Sequence, residues 1–91
     1  ICANDNTAMK FIKALSDTDI NIPKDVRISG FDDIEAACYF PIPLTTIAQP
    51  CKKLAEVIIH TMLTRIENPY LPARNLMLDF ELKVRESSIL E

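Results

Sequence analysis

The chain has 91 residues, 48% hydrophobic and 25% charged, which is the composition of an ordinary soluble globular domain and excludes a disordered or fibrous one. Ten Lys and Arg against thirteen Asp and Glu leave a net charge of −3, and the basic residues are scattered apart from the pair Lys52 and Lys53, so the segment carries no electrostatic footprint for nucleic acid. The three cysteines, Cys2, Cys38 and Cys51, have no C-x-x-C or Cys/His ligand spacing, and no apolar run approaches the roughly 18 residues needed to cross a bilayer, which argues against a disulfide framework, a zinc site and a membrane segment.

Residues 1–4 read as the end of a strand already under way, with no start Met and no basic-then-apolar signal pattern. The chain is therefore expected to be part of a longer one, with any targeting signal or further domain upstream. Ala8, Phe11, Ile12 and Leu15 repeat at i, i+3, i+4 and i+7, and Asn4 and Asp5 precede them as good N-caps, which predicts a helix over residues 6–16. Asp5 reads mainly as that cap, whereas Asn4 stays open between capping and contact with a ligand.

Ser16 to Asp19 break the period, and Ile22-Pro23-Lys24-Asp25 suits a tight turn into a short β-rich strand over residues 26–31. That strand ends at Asp32 and Asp33, after which a short helical turn over residues 34–37 is expected, with Asp33 as its cap. The only glycine, Gly30, sits at the strand's end and marks a crowded or sharply bent spot beside the two carboxylates.

Pro41-Ile42-Pro43 enforces extended backbone before a second β-branched strand over residues 44–47, and Pro50 suits the first turn of a helix that Asn68-Pro69 stops. Cys51, Leu54, Ala55, Ile58 and Met62 form one face of that helix, and Ile59, Leu63 and Ile66 widen the apolar arc, which implies burial on more than one side. Leu76, Leu78, Phe80, Leu82 and Val84 then alternate with polar neighbours, the pattern of a strand with one buried face over residues 74–84.

The alternation of strands and helices predicts an α/β fold with a largely parallel sheet flanked by helices. In open sheets of this kind ligands bind beyond the carboxyl ends of the strands. Three such ends carry polar residues: Asn4 and Asp5, Asp32 and Asp33, and Gln49. Each also has a plainer reading, with Asp32 as a hydrogen-bonded loop acid and Gln49 as a residue that only holds the helix start.

His60 lies four residues after Glu56 in the long helix, an ordinary side-chain pair with no nucleophile arranged beside it. The cysteines read as small buried hydrophobes and as reduced thiols of a cytoplasm. Asp32 and Asp33 lack a third ligand or a phosphate-binding loop, so the sequence points to neither a metal site nor an enzyme.

At these junctions the sequence resembles the LacI/GalR family of bacterial transcription regulators. The resemblance rests on Asn4-Asp5-x-x-Ala8, Ala14-Leu15, Ile22-Pro23-x-Asp25-Val26, Gly30-Phe31-Asp32-Asp33, Pro43-Leu44-Thr45-Thr46-Ile47-x-Gln49-Pro50 and the closing Arg85-x-Ser87-Ser88, in that order. It implies a type-I periplasmic-binding-protein-like core of two subdomains with a small effector, a sugar or similar metabolite, in the cleft between them. Residues 1–91 would be part of the C-terminal subdomain. The N-terminal subdomain and a helix-turn-helix head that meets operator DNA would lie upstream.

The resemblance further implies Asn4 and Asp32 as effector contacts with Gln49 behind them, no cofactor or metal, and a homodimer with Met9, Cys38, Tyr39 and Phe40 at or near its interface. Lys10, Asp19, Ala55, Ile42 and Cys51 depart from the family's usual residues. Two other readings remain beside the cytoplasmic repressor: a periplasmic or secreted sugar-binding protein of the same architecture, and a core kept for dimerisation alone.

Overall fold

Asn4 ends an extended segment and begins a helix, because its side chain accepts the Thr7 backbone N–H at 2.8 Å and so satisfies a donor that the first turn leaves without a partner. The computed structural model describes residues 1–89. In it this helix, α1, runs Asp5–Leu15 and buries Ala8 and Ile12 against Ile28, Ala37 and Leu44, the core of the first of two compact units. Phe11, expected on the same face, is 46% exposed, so the buried stripe is narrower than the periodicity suggests.

The first unit comprises Ile1–Gln49 together with the segment after Phe80; the second is Pro50–Phe80. In the first, the turn at Ile22-Pro23 is closed by the Asp25 N–H on the Asn21 carbonyl at 2.8 Å and by the Asn21 N–H on the Asp25 carboxylate at 2.8 Å. A 3-10 turn follows at Glu35–Cys38, where a short helical turn was predicted, but its N-cap is Ile34 without a side-chain bond, not Asp33.

The regular sheet is small and antiparallel: β1, Thr46–Ala48, pairs with β2, Glu81–Lys83, with Ile47 opposite Leu82. The sequence predicts a largely parallel sheet, and its parallel component here is limited to two isolated bridges, Ser29 with Thr45 and Asp32 with Ala48. The physical reason is that few backbone bonds join these segments. The Cys2 N–H meets the Ser29 carbonyl, the Gly30 N–H meets that of Thr45 and the Asp32 N–H meets that of Ile47, but these bonds do not run on as continuous ladders. Residues 26–31 and most of 74–84 are therefore extended chain where strands were expected.

The segment after β2 closes the first unit. Ser87 is fully buried, and its hydroxyl donates to the Ile28 carbonyl at 2.6 Å and accepts the Thr45 N–H at 2.8 Å. Its backbone bonds Ile28 and Pro43 as well, so one residue joins three stretches of chain.

In the second unit α2 spans Cys51–Glu67, as the apolar period predicts, with Pro50 at its N-cap and the Asn68 N–H bonded to the Thr64 carbonyl at its end. The predicted burial is absent: none of its residues is buried among the described residues, and Ile66 is 68% exposed. Leu76, Phe80, Leu82 and Val84 are exposed too and Leu78 is half-buried, so the expected buried face of residues 74–84 is largely uncovered. Hydrophobic patterning states which face wants burial, while burial itself requires a surface to meet. No described helix is long and apolar enough to cross a membrane.

Candidate functional site

Two bonds set the local geometry around Asp32. The Asp5 N–H donates to the Phe31 carbonyl at 3.0 Å, which lays the Asn4–Asp5 junction beside the Phe31–Asp32 junction. The Gln49 Nε2 donates to Asp32 Oδ1 at 2.8 Å, which ties the residue after β1 to the same place. Asp32 and Gln49 are exposed and Asn4 is half-buried, so all three predicted contact residues stand at one end of the extended segments with access to solvent.

Their side chains differ in what they have free. Asn4 uses its carbonyl oxygen to cap α1, which leaves its amide NH2 as a donor. Asp32 presents a carboxylate already aligned by Gln49, an acceptor suited to adjacent hydroxyl groups. Asp32 (φ 112°) and Asp33 (φ 55°) both lie in the left-handed region, where a non-glycine residue costs on the order of 1–3 kcal/mol unless its surroundings hold it.

Gly30, expected to mark a crowded or sharply bent spot, has no positive φ and is the crowded kind. A Cβ there would overlap Asp5 Oδ1, so the glycine makes room for a carboxylate from α1. Asp5 is correspondingly not the helix cap: it is fully buried, and its carboxylate accepts from Thr46 Oγ1 at 2.6 Å and from the Ile34 N–H at 2.9 Å.

Asp33 likewise has a partner that local sequence could not reveal. It pairs with Arg85 at 2.8 Å, both side chains about a fifth exposed, and the same guanidinium donates to the Leu44 carbonyl at 2.9 Å. A planar fork with several donors suits such a double role. The one available signal was the pairing of an Arg-x-Ser-Ser ending with an Asp-Asp turn, too distant to connect without a fold.

Of the four residues expected at a subunit interface, two line a groove and two are exposed. Met9 and Phe40 line a mainly apolar concavity of about 680 Å³ with Ile12, Leu15, Ile20 and Ile42. Cys38 is exposed and Tyr39 is 78% exposed. The reading of the cysteines as buried is corrected for Cys38 and Cys51, both exposed, while Cys2 is half-buried. Among the described residues no group of three or more His, Cys, Asp or Glu could hold a metal ion.

The sequence profile described as the periplasmic binding protein-like domain matches residues 1–88. The ribose operon repressor of Haemophilus influenzae is 40% identical over 86 residues, covering 94% of this chain and 26% of the repressor. Among solved structures, a LacI family transcriptional regulator from Enterococcus faecalis V583 with bound ribose superposes with a TM-score of 0.82 at 33% identity, over 93% of this chain and 32% of that one. The lac repressor dimer bound to operator and the anti-inducer ONPF superposes with a TM-score of 0.84 at 25% identity, over 97% of this chain and 30% of that one. The chain thus spans about a quarter of the length of the curated relatives it matches. These relatives are named as transcription regulators, not enzymes. The chain belongs to the periplasmic binding protein-like domain family and, within it, resembles the LacI-family transcription regulators.

Proposed function

We propose that the chain is the effector-binding and dimerisation segment of a LacI-type transcription repressor, forming part of the C-terminal subdomain of its core and binding a small polyol, foremost a sugar, in a cleft between subdomains. The observation that carries this reading is the Gln49–Asp32 hydrogen bond, which aligns an exposed carboxylate at the end of the extended segments where Asn4 also lies. Asp32 accepts from sugar hydroxyls, Asn4 donates from its free amide, and Gln49 holds Asp32 from behind. The E. faecalis regulator with bound ribose supports a pentose as the first ligand to try.

In the complete repressor the extended stretches ending at Asn4, Asp32 and Gln49 belong to a largely parallel sheet, a reading supported by the parallel sense of the Ser29–Thr45 and Asp32–Ala48 bridges. Met9, Cys38, Tyr39 and Phe40 contribute to a homodimer, with the apolar groove beside α1 as part of the buried surface. Effector binds one arrangement of the subdomains more tightly than the other, and the dimer passes that difference to DNA-binding heads that reach the operator. The protein acts in the cytoplasm, uses no cofactor and catalyses no reaction.

Calorimetric titration of D-ribose into the full-length protein tests the site. Asp32→Ala is expected to weaken binding by about 2 kcal/mol or more, the loss of a charge-assisted hydrogen bond. Equal affinity in wild type and variant removes Asp32 from the site. A signal peptide encoded upstream in place of a helix-turn-helix head overturns the repressor reading in favour of an exported binding protein.

A further inference from the structure

Asp5 stands at the centre of the hydrogen bonds that shape the Asp32 turn, although its side chain makes no bond to Asp32. Its N–H holds the Phe31 carbonyl just before the turn, and its Oδ2 accepts the Ile34 N–H just after it, at 2.9 Å. Its Oδ1 accepts from Thr46 Oγ1, and that same hydroxyl oxygen accepts the Asp33 N–H at 3.3 Å. The Asp32 N–H is taken by the Ile47 carbonyl. One buried carboxylate and the hydroxyl bonded to it thus receive the N–H groups of Asp33 and Ile34, on either side of the peptide bond at which the left-handed stretch ends.

Left-handed φ at two successive aspartates persists only where the surroundings specify it. The Asp5 side chain supplies that specification from inside the unit, in space left by the missing Cβ of Gly30. A helix cap could have been solvent-exposed; this carboxylate is fully buried and has both oxygens engaged.

We infer that Asp5, acting with Thr46, is a positioning residue that holds the Asp32–Asp33 backbone in its left-handed turn and thereby fixes where the Asp32 carboxylate meets effector. The part concerning effector rests on the function proposed above; the part concerning the turn does not. Substitution at Asp5 displaces Asp32 without removing it, so its cost to binding exists only while Asp32 is present.

The test uses the full-length protein with three variants. Asp5→Asn keeps the shape but has one acceptor oxygen for two donors, Thr46→Val removes the hydroxyl, and Thr46→Ser retains it. Residue-resolved amide exchange by NMR is expected to show Ile34 exchanging about tenfold faster in Asp5→Asn and Asp33 about tenfold faster in Thr46→Val, as for the loss of one hydrogen bond, with Thr46→Ser close to wild type. Wild-type exchange at both amides in Asp5→Asn and Thr46→Val overturns the inference. Should Asp5→Asn fail to fold, the Thr46 pair alone decides it.

D-Ribose titration adds the second readout. Asp5→Asn is expected to weaken ribose binding about tenfold in the wild-type background and to add nothing in Asp32→Ala. A loss of equal size in both backgrounds shows that Asp5 does not act through Asp32 and overturns the positioning role. A wild type that binds no ribose counts against that sugar as the effector, while amide exchange at Asp33 and Ile34 still decides whether Asp5 and Thr46 hold the turn.

Discussion

Asp5 and Gly30 compete for one volume: the Asp5 carboxylate lies where a Cβ on residue 30 would stand, and Leu44 closes the other side. Gly30 is buried, so nothing there can yield toward solvent. Gly30→Ala is therefore expected to destabilise the full-length protein by about 1–3 kcal/mol, as overpacking does, and to disturb the Asp32 turn through Asp5. Denaturant unfolding of the two proteins side by side measures this. A variant as stable as wild type shows that the carboxylate can move away at no cost.

Ser87 makes a different prediction, because its hydroxyl is both donor and acceptor inside the first unit. Ser87→Ala leaves the Ile28 carbonyl and the Thr45 N–H without that partner in a site closed to water. The expected loss is about 1–3 kcal/mol for each buried group left unpaired, seen as a lower melting temperature. Ser87→Cys, similar in size but a poor hydrogen-bonding group, is expected to recover little of it. Full recovery by Cys would assign the role of Ser87 to packing.

The proposed homodimer makes a further prediction at the groove beside α1. Met9→Asp places a charge among Ile12, Phe40 and Ile42, at a half-buried residue packed against the edge of the core. Sedimentation equilibrium of the full-length protein is expected to show the dimer weakened by tenfold or more, roughly the effect of charging the centre of an interface. Unchanged dimerisation, with a wild-type circular dichroism spectrum, places the interface elsewhere.

Local order along the chain was enough to recognise several features. The spacing of Ala8, Ile12 and Leu15 marks α1, Pro50 and Asn68 bracket α2, and the Asp32 and Gln49 positions follow from where extended segments stop. Between Asn4 and Asp5, by contrast, the sequence assigns the cap mainly to Asp5, although both are good caps one residue apart and periodicity does not separate them. The structure gives the cap to Asn4 and sends Asp5 inward, toward a hydroxyl 41 residues away.

The same limit accounts for the other revisions. Gly30 is a sign of close approach, but nothing near it in sequence names Asp5 as the neighbour. The apolar face of α2 is legible in its period, yet it stays uncovered among the described residues because a helix face has no burial without a second surface. Sequence alone determined which segments turn, which form helices and which want burial, since those properties depend on residues within a few positions of each other. Only tertiary structure decided that Asp5, Thr46 and Ile34 meet, and that Arg85 reaches Asp33, because hydrogen bonds across tens of residues form only after the chain has folded back on itself.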